Sequence, residues 1–143
     1  VEFFTPRNVM KMVVEKINPQ VDEKVLDRSC GTGRVLVTAM THVVSQLERD
    51  FAKELGVPRD KWDSDAENAF QDRVSDMAKV NYFGFDINPD LVKATKMNMV
   101  MNNDGSGNIL QNNSLLPPHE WTEDFRTSLA EALGIDKSRI RNH

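Results

Sequence analysis

Cysteine is nearly absent: Cys30 is the single one in 143 residues, so no internal disulfide can form. That excludes a disulfide-stapled scaffold and points to a reducing compartment, read as cytoplasmic. No run approaches the ~18 uninterrupted apolar residues of a membrane-spanning helix. The opening Val1-Glu2-Phe3-Phe4-Thr5-Pro6 lacks the basic-then-apolar order of a signal peptide. Positive charge is not in excess either. The 18 basic and 22 acidic side chains leave a net −4, which argues against coating nucleic acid by charge alone. Repeats and low-complexity tracts are absent, and no Met stands at position 1, so the chain reads as a fragment. What is present is ordinary for a globular protein, with 39% hydrophobic and 28% charged residues and one domain expected over 1–143.

The apolar spacing predicts a helix over 6–17, with Thr5 as N-cap, Pro6 at the first helical position, and Asn18-Pro19 ending it. Lys24 to Asp27 reads as a short strand that runs into the small-residue loop Ser29-Cys30-Gly31-Thr32-Gly33. A helix follows from Arg34 to Leu55, stopped by Gly56 and Pro58. Residues 48–79 are the most polar stretch, with 9 acids against 6 bases, and are expected to form a charged helical insertion, helical over 64–79 with a solvated face. Val80 to Ile87 reads as a strand, and Asn88-Pro89 opens a helix to about Asn102, closed by the turn Asn103 to Gly107. Ile109 to Gln111 is a weak third strand, and a last helix over 122–133 stops at Gly134. Strands alternating with helices predict an α/β fold with a parallel sheet.

Two places carry candidate chemistry. The glycines of the 29–33 loop let backbone approach a ligand, and the helix behind it presents unpaired N–H groups and a positive dipole end, which suits a carboxylate or phosphate. A tight strand-to-helix turn would use the same glycines. Asp86 lies at the carboxyl end of the next strand, where open α/β sheets bind ligands and a carboxylate can accept both hydroxyls of a ribose. Ile87 beside it can lie against a purine face. The plain alternative for Asp86 is a helix N-terminal acid before Asn88-Pro89. A dinucleotide site is disfavoured: Leu36 stands where a third glycine should be, and 53 residues separate Gly33 from Asp86 against about 20 expected.

Glu2-Phe3-Phe4-Thr5-Pro6-Arg7, Val25-Leu26-Asp27-Arg28-Ser29-Cys30-Gly31-Thr32-Gly33 and Gly84-Phe85-Asp86-Ile87-Asn88-Pro89 together resemble the modification subunit of type I restriction–modification systems. That subunit is an S-adenosylmethionine-dependent DNA adenine-N6 methyltransferase. The resemblance runs from Glu2 to about Leu116 and keeps the motif order. It implies a partial Rossmann-like methyltransferase fold, truncated before its fourth strand. Phe4, Thr5 and Pro6 would close over the methionine end, with Thr5 bonding its carboxylate. Asp27 would face the ammonium, and Ser29, Cys30, Gly31, Thr32 and Gly33 would underlie the cofactor. Asp86 would take the ribose diol and Ile87 the adenine face. Asn113-Ser114-Leu115 stands where the family has Asp-Ser-Leu, so Asn113 would contact the adenine amine. Partners implied are DNA, a specificity subunit and a restriction subunit.

Three residues depart from that pattern: Arg28 for a proline, Arg34 for a glycine and Asn113 for an aspartate. An Asn carbonyl still accepts from an adenine N–H. Arg34 reads as an exposed side chain or as a cation near the cofactor carboxylate, and Arg28 as a residue that weakens cofactor affinity. The family's Asn/Asp-Pro-Pro-Tyr/Phe motif, which grips a flipped adenine, does not occur in these residues: the one Pro-Pro stands in Leu116-Pro117-Pro118-His119. The chain is therefore expected to be inactive alone, with no catalytic residue of its own. With the first strand's outer edge unpaired, self-association or local disorder near Ser29 to Arg34 is expected. The alternative is a non-catalytic subunit-interaction module with a vestigial cofactor loop; an RNA or protein methyltransferase would share the same half. Cys30 has no obvious base for nucleophilic work, and the histidines show no zinc spacing. Met97, Met99 and Met101 read as helix core and rim, and Lys137, Arg139, Arg141 and His143 as a small basic tail.

Overall fold

The computed structural model describes residues 5–103 and 108–140. Helix α1 (Arg7–Ile17) buries Met10 and Val14, one turn apart, and ends at Asn18 in the left-handed conformation, whose N–H returns to Val14 O. Its start differs from expectation. Pro6, not Thr5, holds the N-cap place with ψ 143°, and no side chain caps the helix. Proline tolerates that place because no intrahelical N–H is required of it, and its extended backbone leaves Thr5 too early to reach the first amides.

Strand β1 (Val25–Asp27) leads through the glycine loop into α2 (Arg34–Leu55); a 3-10 turn (Arg59–Lys61) and α3 (Ser64–Asn81) then deliver the chain to β2 (Tyr82–Asp86). Helix α4 (Pro89–Asn103), β3 (Asn108–Gln111) and α5 (Glu123–Leu133) follow, with further 3-10 turns at Pro118–Glu120 and Lys137–Arg139. Of the turn expected over Asn103 to Gly107, Asn103 ends α4 and residues 104–107 lie outside the described residues, as do Phe4, Arg141 and His143. The strands form one parallel sheet in the order β1-β2-β3, with Val25 opposite Tyr82 and Phe83 opposite Asn108. Strand β2 is central and buried along its length.

The expected strand over 80–87 is shorter, because α3 continues through Asn81. Met77 and Ala78 keep its last turns in the core, Asn81 Nδ2 donates to Val21 O at 2.9 Å, and Val80 points to solvent. The charged stretch also has an inner face. Phe70 and Val74 of α3 pack with Phe51 and Leu47 of α2, and Trp62 sets its ring edge-on to Phe51 at 5.0 Å between centroids. Outside, Arg59 bonds Glu48 at 2.8 Å and Glu67 at 2.6 Å while lying over the Phe70 ring. The Arg59 guanidinium holds the Glu67 carboxyl below the usual carboxylate range.

Both sheet faces are covered, as parallel sheets require. On one, Leu36, Met40 and Val43 of α2 and Met99 of α4 pack with Tyr82 and Ile109. On the other, Phe85 meets Phe125 and Leu129 of α5. Gly84 lets α2 approach β2 closely: a Cβ there would lie 2.8 Å from Leu36 Cδ1 and 3.0 Å from Ile109 Cδ1. Of the methionines on α4, Met99 alone is buried, and Met97 and Met101 are exposed. No helix among the described residues is long and apolar enough to cross a membrane.

Candidate functional site

The three strands run parallel, so Asp27, Asp86 and the Asn112-Asn113 segment leave the sheet at the same edge. Asp27 Oδ1 accepts the Ser29 N–H at 3.1 Å and turns the chain out of β1. Cys30 N–H then donates to Phe85 O at 2.9 Å, which ties the loop to β2 beyond the strand pair. Gly33 takes the left-handed conformation (φ 79°) at the N-cap of α2, and α4 crosses so close that a Cβ there would lie 2.6 Å from Thr95 Cγ2.

Asp86 is the hub. Its Oδ2 accepts the Gly31 N–H and its Oδ1 the Asn88 N–H, both at 2.9 Å. The plain reading of a helix-starting acid therefore describes half of its work, and bracing the glycine loop is the other half. A carboxylate offers about four acceptor positions, so two protein donors leave room for ligand hydroxyls. Ile87 follows, 63% exposed, and shares a cleft of about 510 Å³ with Asn112, Asn113, Leu116 and the first turns of α5. Asn113 Oδ1 accepts the Leu115 N–H at 3.1 Å, and Asn112 Nδ2 is buried with no partner among the described residues.

A second cleft, about 460 Å³, opens on the loop's other side between α1, α2 and α4. Arg7, Lys11 and Arg34 line it beside Thr32, Asn98 and Asn102, with no acidic side chain among the lining residues. Thr5 and Pro6, both exposed, stand at the start of α1 just before Arg7. Phe4 lies outside the described residues.

Burial, and then the charges of Asp27 and Asp86, push the Cys30 thiol up to about 11, which makes it a packing residue and a poor nucleophile. Arg28 reaches across β2: its Nη2 donates to Ser114 O, and Ser114 Oγ donates to Arg28 O at 2.6 Å. That reciprocal clamp joins the ends of β1 and β3. Sequence reasoning passed over Ser114, and also Thr95 and Asn98 of α4, which donate to the loop carbonyls of Gly31 and Thr32. Asn98, polar between Met97 and Met99, carried the one available sign.

Comparisons with known proteins bear on the family and the fold. The sequence model of the family described as N-6 DNA Methylase matches residues 1–131. The type II restriction enzyme and methyltransferase RM.BcgI of Heyndrickxia coagulans is 26% identical over 133 residues, covering 93% of this chain and 16% of that protein. The type I restriction enzyme EcoEI methylase subunit of Escherichia coli is 45% identical over 42 residues, covering 29% of this chain and 9% of that one. Among solved structures, a modification subunit assigned to a type I restriction enzyme from Vibrio vulnificus YJ016 superposes with a TM-score of 0.58 at 27% identity. It covers 86% of this chain and 21% of its own. The EcoKI M protein superposes at 0.55 with 25% identity, covering 80% of this chain and 21% of that one. The chain thus spans about a fifth or less of the length of each relative.

Proposed function

The chain belongs to the N-6 DNA methylase family, and from that premise we propose that its residues form the S-adenosylmethionine half-site of a type I modification subunit that methylates adenine N6 in DNA. The observation that carries this reading is the convergence of Asp27, the glycine loop, Asp86, Ile87 and Asn113 at one edge of a parallel sheet.

The residues present fit the cofactor in its three parts. The cleft holding Arg7, Lys11 and Arg34 suits the methionine carboxylate, and the Asp27 carboxylate suits its ammonium. Thr5 would add a hydroxyl at that end, and Phe4 and Pro6 would complete the segment closing over it. Asp86 keeps acceptor capacity for the ribose hydroxyls. Ile87 offers an exposed apolar face to the purine, Asn113 an amide for its amine, and the orphaned Asn112 Nδ2 a donor for a ring nitrogen. When bound, the cofactor supplies a methyl group activated by its sulfonium. These residues bind and orient it. The Asn/Asp-Pro-Pro-Tyr/Phe grip on a flipped adenine is not among the 143 residues, so the reading assigns them cofactor binding and not the transfer step. DNA, a specificity subunit and a restriction subunit are the partners this reading carries for the whole subunit, with the cytoplasm as its place.

Calorimetric titration of S-adenosylmethionine into the chain tests the proposal, with Ile87→Ala as the variant because its exposed side chain supports little of the fold. Burial of such a side chain is worth about 1.5–3 kcal/mol, so the variant should bind roughly tenfold or more weakly. Absence of saturable binding by the wild-type chain would favour a subunit-interaction module with a vestigial loop.

A further inference from the structure

The glycine loop does not hold its own shape. Two polar side chains from the middle of α4, one turn apart, reach into it: Thr95 Oγ1 donates to Gly31 O at 2.7 Å, and Asn98 Nδ2, on the wall of the Arg7–Arg34 cleft, donates to Thr32 O at 2.8 Å. Thr95 is fully buried, and its hydroxyl also stands 3.8 Å from Cys30 Sγ. We propose that Thr95 and Asn98 are positioning residues, which fix the direction of the Gly31–Thr32 peptide and so prepare the loop to receive the cofactor.

The reason is peptide geometry. A peptide unit is planar, and in its trans form the C=O and N–H point in opposite directions. Drawing Gly31 O inward to α4 therefore turns the Thr32 N–H outward, toward the ligand side. Glycine at position 31 (φ 54°) makes rotation of that peptide cheap, because no Cβ opposes it. Rotated, the loop would aim a carbonyl at the cofactor where it should aim a donor, and an anionic methionine end would be repelled. Asn98 does the same for the next carbonyl. The Gly31 N–H is already held by Asp86, so α4 and β2 grip the loop at successive groups, one through carbonyls and the other through an amide. Oriented donors that need no rearrangement when the ligand arrives bind it better.

The inference rests on the S-adenosylmethionine reading, and the experiment separates the two. S-adenosylmethionine is titrated calorimetrically into wild type, Thr95→Val, Thr95→Ser and Asn98→Leu, and amide exchange is followed by NMR in each without ligand. Thr95→Val keeps the volume and loses the donor. It should weaken binding at least tenfold and speed exchange at Gly31 to Gly33 while amides of β2 and α2 stay protected. Thr95→Ser keeps the hydroxyl and should bind within about threefold of wild type. Should Thr95→Val not fold, Asn98→Leu, whose side chain is half-buried on the cleft wall, should speed exchange at Gly31 to Gly33 without ligand, the readout that separates positioning from direct contact. Wild-type binding that is unchanged in Thr95→Val and Asn98→Leu overturns this proposal and leaves the cofactor reading standing. A general loss of protection with no rescue by Thr95→Ser also overturns it, since that marks a merely structural role. Absence of wild-type binding overturns both.

Discussion

Replacing Gly33 by alanine should be among the most damaging single-methyl additions to this chain. The residue holds φ 79°, where an L-side chain costs roughly 1–2 kcal/mol. The new Cβ would also stand 2.6 Å from Thr95 Cγ2 and 3.2 Å from both Thr95 Cβ and Oγ1. Carbon atoms prefer about 3.5–4.0 Å, so something must retreat by about an ångström. Thr95 is fully buried and bonded to Gly31 O, so it cannot yield freely. Overpacking of this kind costs about 1–3 kcal/mol, and the two terms together give about 2–5 kcal/mol. Urea unfolding followed by circular dichroism would read that loss against a total of roughly 5–15 kcal/mol for a typical domain. The double variant tests the cause. Thr95→Ser removes the nearest atom and keeps the hydroxyl, so Gly33→Ala should cost about 1–2 kcal/mol less in that background, within the usual range of coupled neighbours. The 3.2 Å contacts and the backbone strain would persist, and full recovery is not expected. Additive single effects, to within about 0.5 kcal/mol, would refute the steric reasoning.

Two further predictions concern residues outside that contact. Cys30, with its thiol pushed up to about 11, should be about one part in a thousand ionised at pH 8 and should resist a disulfide reagent until the chain is unfolded. Its raised value also means that the thiol's contribution to stability is fully present below pH 9 and lost as the pH rises through about 11; rapid labelling of the native chain at pH 8 would contradict both statements. The outer side of β1 pairs with no strand among the described residues, and Leu26 there is 52% exposed, so the chain should self-associate in a concentration-dependent way. Leu26→Lys should shift it toward monomer in sedimentation velocity, and an ideal monomer for the wild-type chain at high concentration would sink the expectation.

Where punctuation residues act locally, the sequence was readable. Gly33 and Gly56 bound α2 at the residues expected, and Thr122 and Gly134 cap α5 as their chemistry dictates. Local rules failed where tertiary contacts decide. Val80 carries strand propensity and leads into an aromatic run, yet the buried Met77 and Ala78 and the bond from Asn81 to Val21 keep Val80 and Asn81 helical. The acids and bases of 48–79 drew attention from Phe70, Val74, Met77 and Ala78, whose spacing is that of a buried helix face. At the site, motif residues such as Asp86 and Ile87 stood out because their strand ends there. Arg28 has no visible structural partner in the sequence alone, because Ser114 stands 86 residues on and meets it only across the sheet. Thr95 and Asn98 carry no motif at all; they matter because of what α4 crosses.

The Arg28–Ser114 clamp has a consequence for the order of events during synthesis. Its partners are 86 residues apart, and the loop's bonds to Asp86, Thr95 and Asn98 span 55, 64 and 66 residues. None of these contacts can form until the later partner has left the ribosome. At 5–20 residues per second, the 86 residues between Arg28 and Ser114 take roughly 4–17 s to make. For those seconds the glycine loop is an open hinge beside the apolar Val25-Leu26 edge. That interval, more than the finished fold, is when a nascent chain of this topology most needs a chaperone.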